Sequence, residues 1–217
     1  MRGARDEGPG ARGDRGDADL SARLNEILPR ITSDAFLSSE GIGNEIACYI
    51  FDYPAEDELR VREYIQLMMD RMASHHSGLR VLHLNLLDVV LAYLEQRNLM
   101  GKVLKKQELR GDAAVLDALK GPLAAEKLRD FIAAQHQPAE QDLLLLSGVG
   151  SVWPMLRAHG LLNCLHTIMG GTPLVMFYPG SFDGTTLRLF GRITTGNSSN
   201  AKPYYRAFIL VPGGTEA

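Results

Sequence analysis

Apolar residues in this chain follow two kinds of pattern. Two short runs, Leu143 to Leu146 and Leu174 to Tyr178, contain no polar alternation. A strand covered on both faces reads that way. Between them, a helix pattern from about Ser151 to Met169 sets Leu161, Leu165 and Ile168 on one face, with Pro154 in its first turn and Gly170-Gly171 behind it. The small-residue turn Ser147-Gly148-Val149-Gly150 joins the first run to the helix, and Pro179-Gly180 ends the second. Strand, glycine turn, helix and strand make a βαβ unit, with a right-handed crossover between neighbouring parallel strands.

The rest of the chain repeats these signals. Leu20 to Leu28 predicts a short helix that Pro29 interrupts, and Ser33 to Ser39 a further turn. Gly41 to Glu45 leads into a strand, Ile46 to Phe51, closed by Asp52-Tyr53-Pro54. A helix follows from about Ala55 to Ser74, with acidic residues in its first turn and Val61, Ile65, Met68, Met69 and Met72 as its buried stripe. Arg80 to Leu84 is the next strand, and Asn85 caps a helix over Leu86 to Asn98. Lys102 to Gln137 reads as two shorter helices, placed at one edge of the sheet. Near the end come a turn over Ser181 to Gly184, a half-exposed strand over Thr185 to Ile193, a polar loop, and a last strand over Tyr205 to Val211.

This order predicts an α/β fold, a three-layer α/β/α sandwich with a mostly parallel five- to six-stranded sheet and a C-terminal hairpin. By analogy it resembles a degenerate P-loop NTPase fold without a Walker A loop. Residues 1–19 are rich in Gly, Arg and Asp and are expected to form a disordered tail, with residues 20–214 as a single domain. The two Arg-Gly-Asp triplets in that tail, at 12–14 and 15–17, are expected from such a composition by chance.

Composition narrows the function. A net charge of -3 supplies no electrostatic reason for direct DNA binding. No apolar run reaches the roughly 18 residues of a membrane span, and the first residues have no secretory pattern, so a cytoplasmic protein is expected. The two cysteines, Cys48 and Cys164, form no CxxC and are expected as buried thiols. The six histidines show no metal-ligand spacing, and no cofactor is implied.

Candidate chemistry collects beyond the carboxyl ends of the strands, where parallel sheets hold ligands. Those ends offer Asp52 and Tyr53, His83 and Asn85, Ser147 to Ser151, and Tyr178 to Asp183. The turn Gly148, Val149, Gly150 and Ser151 before a helix has the form of an anion site, or of a tight turn that lets the helix pack close to the sheet. There is no GxxxxGK[ST], and the acidic loop after the first strand would repel a triphosphate. A triad from Ser147 or Ser151, His159 or His166, and Asp183 lacks the GxSxG setting. Asp52 and Asp183 read as turn residues rather than as a carboxylate pair. Trp153, the one tryptophan, is a core plug or an exposed anchor for a partner.

Several stretches together resemble the BrxB family, a component of bacterial BREX phage-exclusion systems. They are GIGNEI (41–46), FDYPAEDELRVREYI (51–65), SGVGSVWP (147–154), FYPG (177–180), LRLFGRI (187–193) and YYRAFILVP (204–212). The resemblance implies a role in host DNA methylation and phage exclusion alongside the PglX methyltransferase, a PglZ-like protein and the BrxC ATPase. With no evident active site, the chain is expected to act by contact, as a non-catalytic adaptor. Trp153, Arg157, Tyr178 and Phe182 are the expected partner-binding residues. The alternative is a regulator that binds a nucleotide or another anion at Gly148 to Ser151 without hydrolysing it.

Overall fold

Every residue of the strand Leu143–Ser147 is buried, and that strand sits inside a parallel sheet. The computed structural model describes residues 10–38, 48–195 and 207–213. Its strands are β1 (Cys48–Tyr53), β2 (Val81–Asn85), β3 (Leu143–Ser147), β4 (Leu174–Phe182), β5 (Leu187–Leu189), β6 (Ile193–Thr195) and β7 (Ala207–Ile209). Its helices are α1 (Gly10–Ile31), α2 (Asp34–Leu37), α3 (Glu58–His75), α4 (Leu86–Gln96), α5 (Met100–Leu119), α6 (Ala125–His136) and α7 (Ala158–Leu165). Five strands are parallel, in the order β2-β3-β4-β1-β7. The end of β4 turns out of that sheet and pairs antiparallel with β5, which pairs with β6.

Strand alternation divides the core in two. Leu144 and Leu146 join Ile50, Leu84 and Met176 against Val90 and Leu94 of α4, Leu128 and Ile132 of α6, and Leu161 and Leu165 of α7. Leu143 and Leu145 join Phe51, Val175 and Phe177 against Leu24 and Ile27 of α1 and Val61, Ile65 and Met68 of α3. Each such side chain contributes about 1.5–3 kcal/mol through burial. The result is the expected three-layer α/β/α sandwich. One crossover, α3, carries the chain from β1 to the far edge at β2. The others return it through β3 to β4 on the opposite face, so the carboxyl ends share one rim.

Several elements differ from their sequence patterns. Helix α1 begins at Gly10, inside the stretch expected to be disordered, and it carries Pro29 in its last turn instead of ending there. The sheet counts seven strands among the described residues, because the β5–β6 arm adds two short ones. β4 runs on through Pro179-Gly180 to Phe182. Pro179 needs no ladder N–H there; its carbonyl accepts from Phe190 N–H at 2.9 Å. A Cβ on Gly180 would collide with the carbonyl oxygen of Arg188, so glycine permits the close pairing with β5.

The helix expected from Ser151 begins only at Ala158. Residues 148–156 instead form successive turns, Ser151 N–H to Gly148 C=O at 3.1 Å and Leu156 N–H to Val152 C=O at 3.0 Å. These turns bury Val149, Val152 and Leu156. The insert expected at a sheet edge lies within a helical layer: α6 packs against both α4 and α7. Asn85 does cap α4, accepting from Leu87 N–H at 3.0 Å. Gly41 to Ile46, Tyr204 to Arg206 and most of the polar loop before the last strand lie outside the described residues.

Candidate functional site

The carboxyl rim of the sheet carries three separate groups of side chains. The first is a part-buried ion pair. Arg23 of α1 donates to Asp52 of β1 at 2.8 Å and to the carbonyl of Val211 at 3.0 Å. Its guanidinium lies 4.8 Å from the centre of the Phe51 ring. The other oxygen of Asp52 accepts from Phe182 N–H at 2.9 Å. The Arg23–Asp52 pair therefore ties α1, β1, the end of β4 and the C-terminal segment together. Asp183 is engaged elsewhere: it accepts from Thr185 N–H at 3.0 Å and Thr186 N–H at 2.7 Å in its own turn. The Thr185 hydroxyl and then these amides hold its carboxyl down at about 2. The two aspartates form no carboxylate pair.

The second group surrounds the glycine turn after β3. Gly148 has φ +73°, and a Cβ there would collide with the Asn85 side chain that caps α4. Val149 is buried. Gly150 is flat against the arm: a Cβ would sit 3.0 Å from both Phe190 and Pro179. The Ser151 hydroxyl accepts from Arg62 of α3 at 2.8 Å. No helix starts at this turn, so the aligned amides of a helix N-terminus are not aimed from it. Among the described residues Arg62 donates to it.

Trp153 lies just beyond, 39% exposed. Its ring meets Phe190 edge to face, with centroids 6.2 Å apart, and Phe190 is itself 37% exposed. Phe190 adopts φ +55°, a left-handed conformation that a bulky side chain rarely takes. Such strain costs on the order of 1–3 kcal/mol and concentrates at functional positions. Arg157 is exposed at the start of α7. Tyr178 and Phe182, expected beside it as partner contacts, are core residues at 0% and 7% exposure. Both belong to the face packed by α4, α6 and α7. They were misplaced because Pro179-Gly180 reads as a turn, whereas the strand continues and keeps their side chains inside. Phe190 had no signal in the pattern; only the fold brings it to Trp153.

The third group lines a cleft of about 480 Å³ beside β2. Within it, His83 Nε2 and the Ser147 hydroxyl are hydrogen-bonded at 2.8 Å. Burial lowers the His83 pKa, with Asp88 opposing, which favours a neutral imidazole. The serine thus pairs with His83 and not with the His166 or Asp183 of the imagined triad; the side chain of His159 lies outside the described residues. Cys48 is buried and its thiol is pushed up to about 12, while Cys164 is only partly buried, contrary to expectation. Among the described residues no cluster of His, Cys, Asp and Glu could hold a metal ion, and no helix is long and apolar enough to cross a membrane.

Comparison with known proteins matches residues 82–210 to the family model described as BREX protein BrxB. A BREX protein BrxB of Escherichia coli O9:H4 (strain HS) is 40% identical over 196 residues, covering 90% of this chain and 94% of that protein. Another BREX protein BrxB, of Bacillus cereus (strain H3081.97), is 39% identical over 196 residues, covering 88% and 97%. No solved structure matches the chain.

Proposed function

Because the chain belongs to the BrxB family, we propose that it serves a BREX system in phage defence as a non-catalytic assembly protein, in the cytoplasm. The observation that carries this reading is the exposed Trp153–Phe190 pair. Three separate stretches that resemble the family, SGVGSVWP, FYPG and LRLFGRI, meet there through Trp153, Pro179 and Phe190. Large exposed aromatics flanked by arginine have the composition of an interface hot spot, and Arg157 and Arg192 stand exposed beside them in sequence. The partners implied by the family are the PglZ-like protein, the PglX methyltransferase and the BrxC ATPase.

Co-expression with the operon's PglZ-like and PglX homologues tests this. A complex should form without nucleotide. Trp153→Ala and Phe190→Ala should each weaken it by about 30-fold, the effect of roughly 2 kcal/mol at a hot spot. A complex and phage restriction that both survive the double change would remove the basis for this surface. A second reading, an anion-responsive regulator, is favoured only by Arg62 beside Ser151. If it holds, excess ATP or GTP should raise the melting temperature, and Arg62→Ala should abolish the rise.

A further inference from the structure

The cleft beside β2 is bounded by the edge strand of the parallel sheet. β2 ends the strand order, and among the described residues no strand pairs with its outer side. The Arg80 carbonyl accepts from the backbone N–H groups of Asp142 at 2.8 Å and Leu143 at 3.4 Å, across the gap to β3. Val81 pairs in register with Leu143. Successive residues of a strand turn their N–H and C=O to opposite neighbours. Leu82 and Leu84 therefore follow Arg80 toward β3, and Val81 and His83 turn theirs outward. Such a row of free donors and acceptors is a template for another strand.

The cleft has walls on both sides of this edge. Arg62, Ile65 and Gln66 of α3 form one wall; Val89 and Ala92 of α4 with Phe131 of α6 form the other. Its volume, about 480 Å³, is in the range of functional binding sites. A strand added beside β2 would send alternate side chains to the two walls. The first wall offers Arg62, whose side chain is 45% exposed and whose fork donates to Glu58 and Ser151. A guanidinium has five N–H donors, so more remain for a carboxylate. The second wall is apolar at Val89, Ala92 and Phe131, and Asp88 beside it disfavours an acid there.

We propose that the β2 edge takes an extended segment of a partner protein, by strand addition, in which an acidic residue facing Arg62 alternates with aliphatic residues facing Ala92 and Phe131. This is a second contact surface, apart from the Trp153–Phe190 pair, and it does not rest on the BREX reading.

Selection of short random linear peptides on the full chain tests it. Enriched peptides should show acidic–aliphatic alternation. Ala92→Trp, which fills the cleft from an exposed position, should weaken them by at least about tenfold, and so should His83→Pro, which removes an outward N–H from the backbone ladder together with the imidazole bonded to Ser147. Leu109→Ala, on exposed α5, should leave binding unchanged. Should His83→Pro not fold, slowed exchange of the His83 amide on adding a selected peptide replaces it. The proposal is overturned if no such pattern enriches, if the peptides bind Ala92→Trp as well as the parent, or if the His83 change or amide shows no effect. A dimer of the chain that Ala92→Trp dissolves would also overturn it, since the occupant would then be a second copy.

Discussion

Replacing Asp52 with alanine should loosen the link between α1, β1 and the end of β4. The side chains of Arg23 and Asp52 are 10% and 21% exposed, and they meet at 2.8 Å. Removing one partner of a buried ion pair costs about 3–5 kcal/mol, because the remaining charge is left uncompensated. Here the Val211 carbonyl and the Phe51 ring still face the guanidinium, and Asp52 is partly open to water, so the low end applies. The Phe182 N–H loses its acceptor as well, at about 1 kcal/mol. The expected loss is about 3–4 kcal/mol, or a fall in melting temperature of about 10 °C for a chain of this size. Urea unfolding of Asp52→Ala measures it, and Asp52→Leu, Arg23→Met and the pair Asp52→Leu with Arg23→Met close a double-mutant cycle. Because two well-packed apolar side chains can replace a buried pair at little cost, the double change should destabilise less than the sum of the singles. A loss below about 1 kcal/mol for Asp52→Ala, or strict additivity in the pair, would show that the bridge is not the tie described above.

Gly180→Ala should cost about 1–3 kcal/mol in urea unfolding, because its Cβ meets the Arg188 carbonyl, whereas Gly171→Ala, with open space around it, should be near neutral. In the native protein at about pH 8, iodoacetamide should modify Cys164 before Cys48, whose thiol is buried and pushed up to about 12; equal labelling by mass spectrometry would contradict this. Asp183 has a lowered pKa of about 2 against an ordinary 3.8. The stability it lends the turn is therefore fully present above about pH 4 and lost as pH falls toward 2. An NMR titration with its midpoint near 4 would refute that assignment. Burial likewise lowers the His83 pKa, so its contribution is present above the ordinary imidazole pKa and lost on acidification. In His83→Gln, unfolding stability should fall less between neutral pH and pH 5 than in the parent.

By itself the sequence determined the layers of this protein. Unbroken apolar runs such as Leu143 to Leu146 can only be covered on both faces, and the stripe from Val61 to Met72 can only face a core. Periodicity reports which side of an element is apolar, and that is a local property. It also located the carboxyl ends of the strands, hence Asp52, His83 and Ser147, and the short motifs carried the family. The tertiary structure decided what those positions do. Asp52 meets Arg23 across 29 residues, and His83 meets Ser147 across 64; neither separation leaves a trace in a local pattern. Pro179-Gly180 resembles a turn because both residues disfavour a regular strand ladder. It becomes strand because β5 folds back against it, and this puts Tyr178 and Phe182 in the core. The same fold-back carries Phe190 to Trp153 and exposes both. A turn signal names residues that tolerate a break in pairing, but only the partner strand determines whether the break occurs.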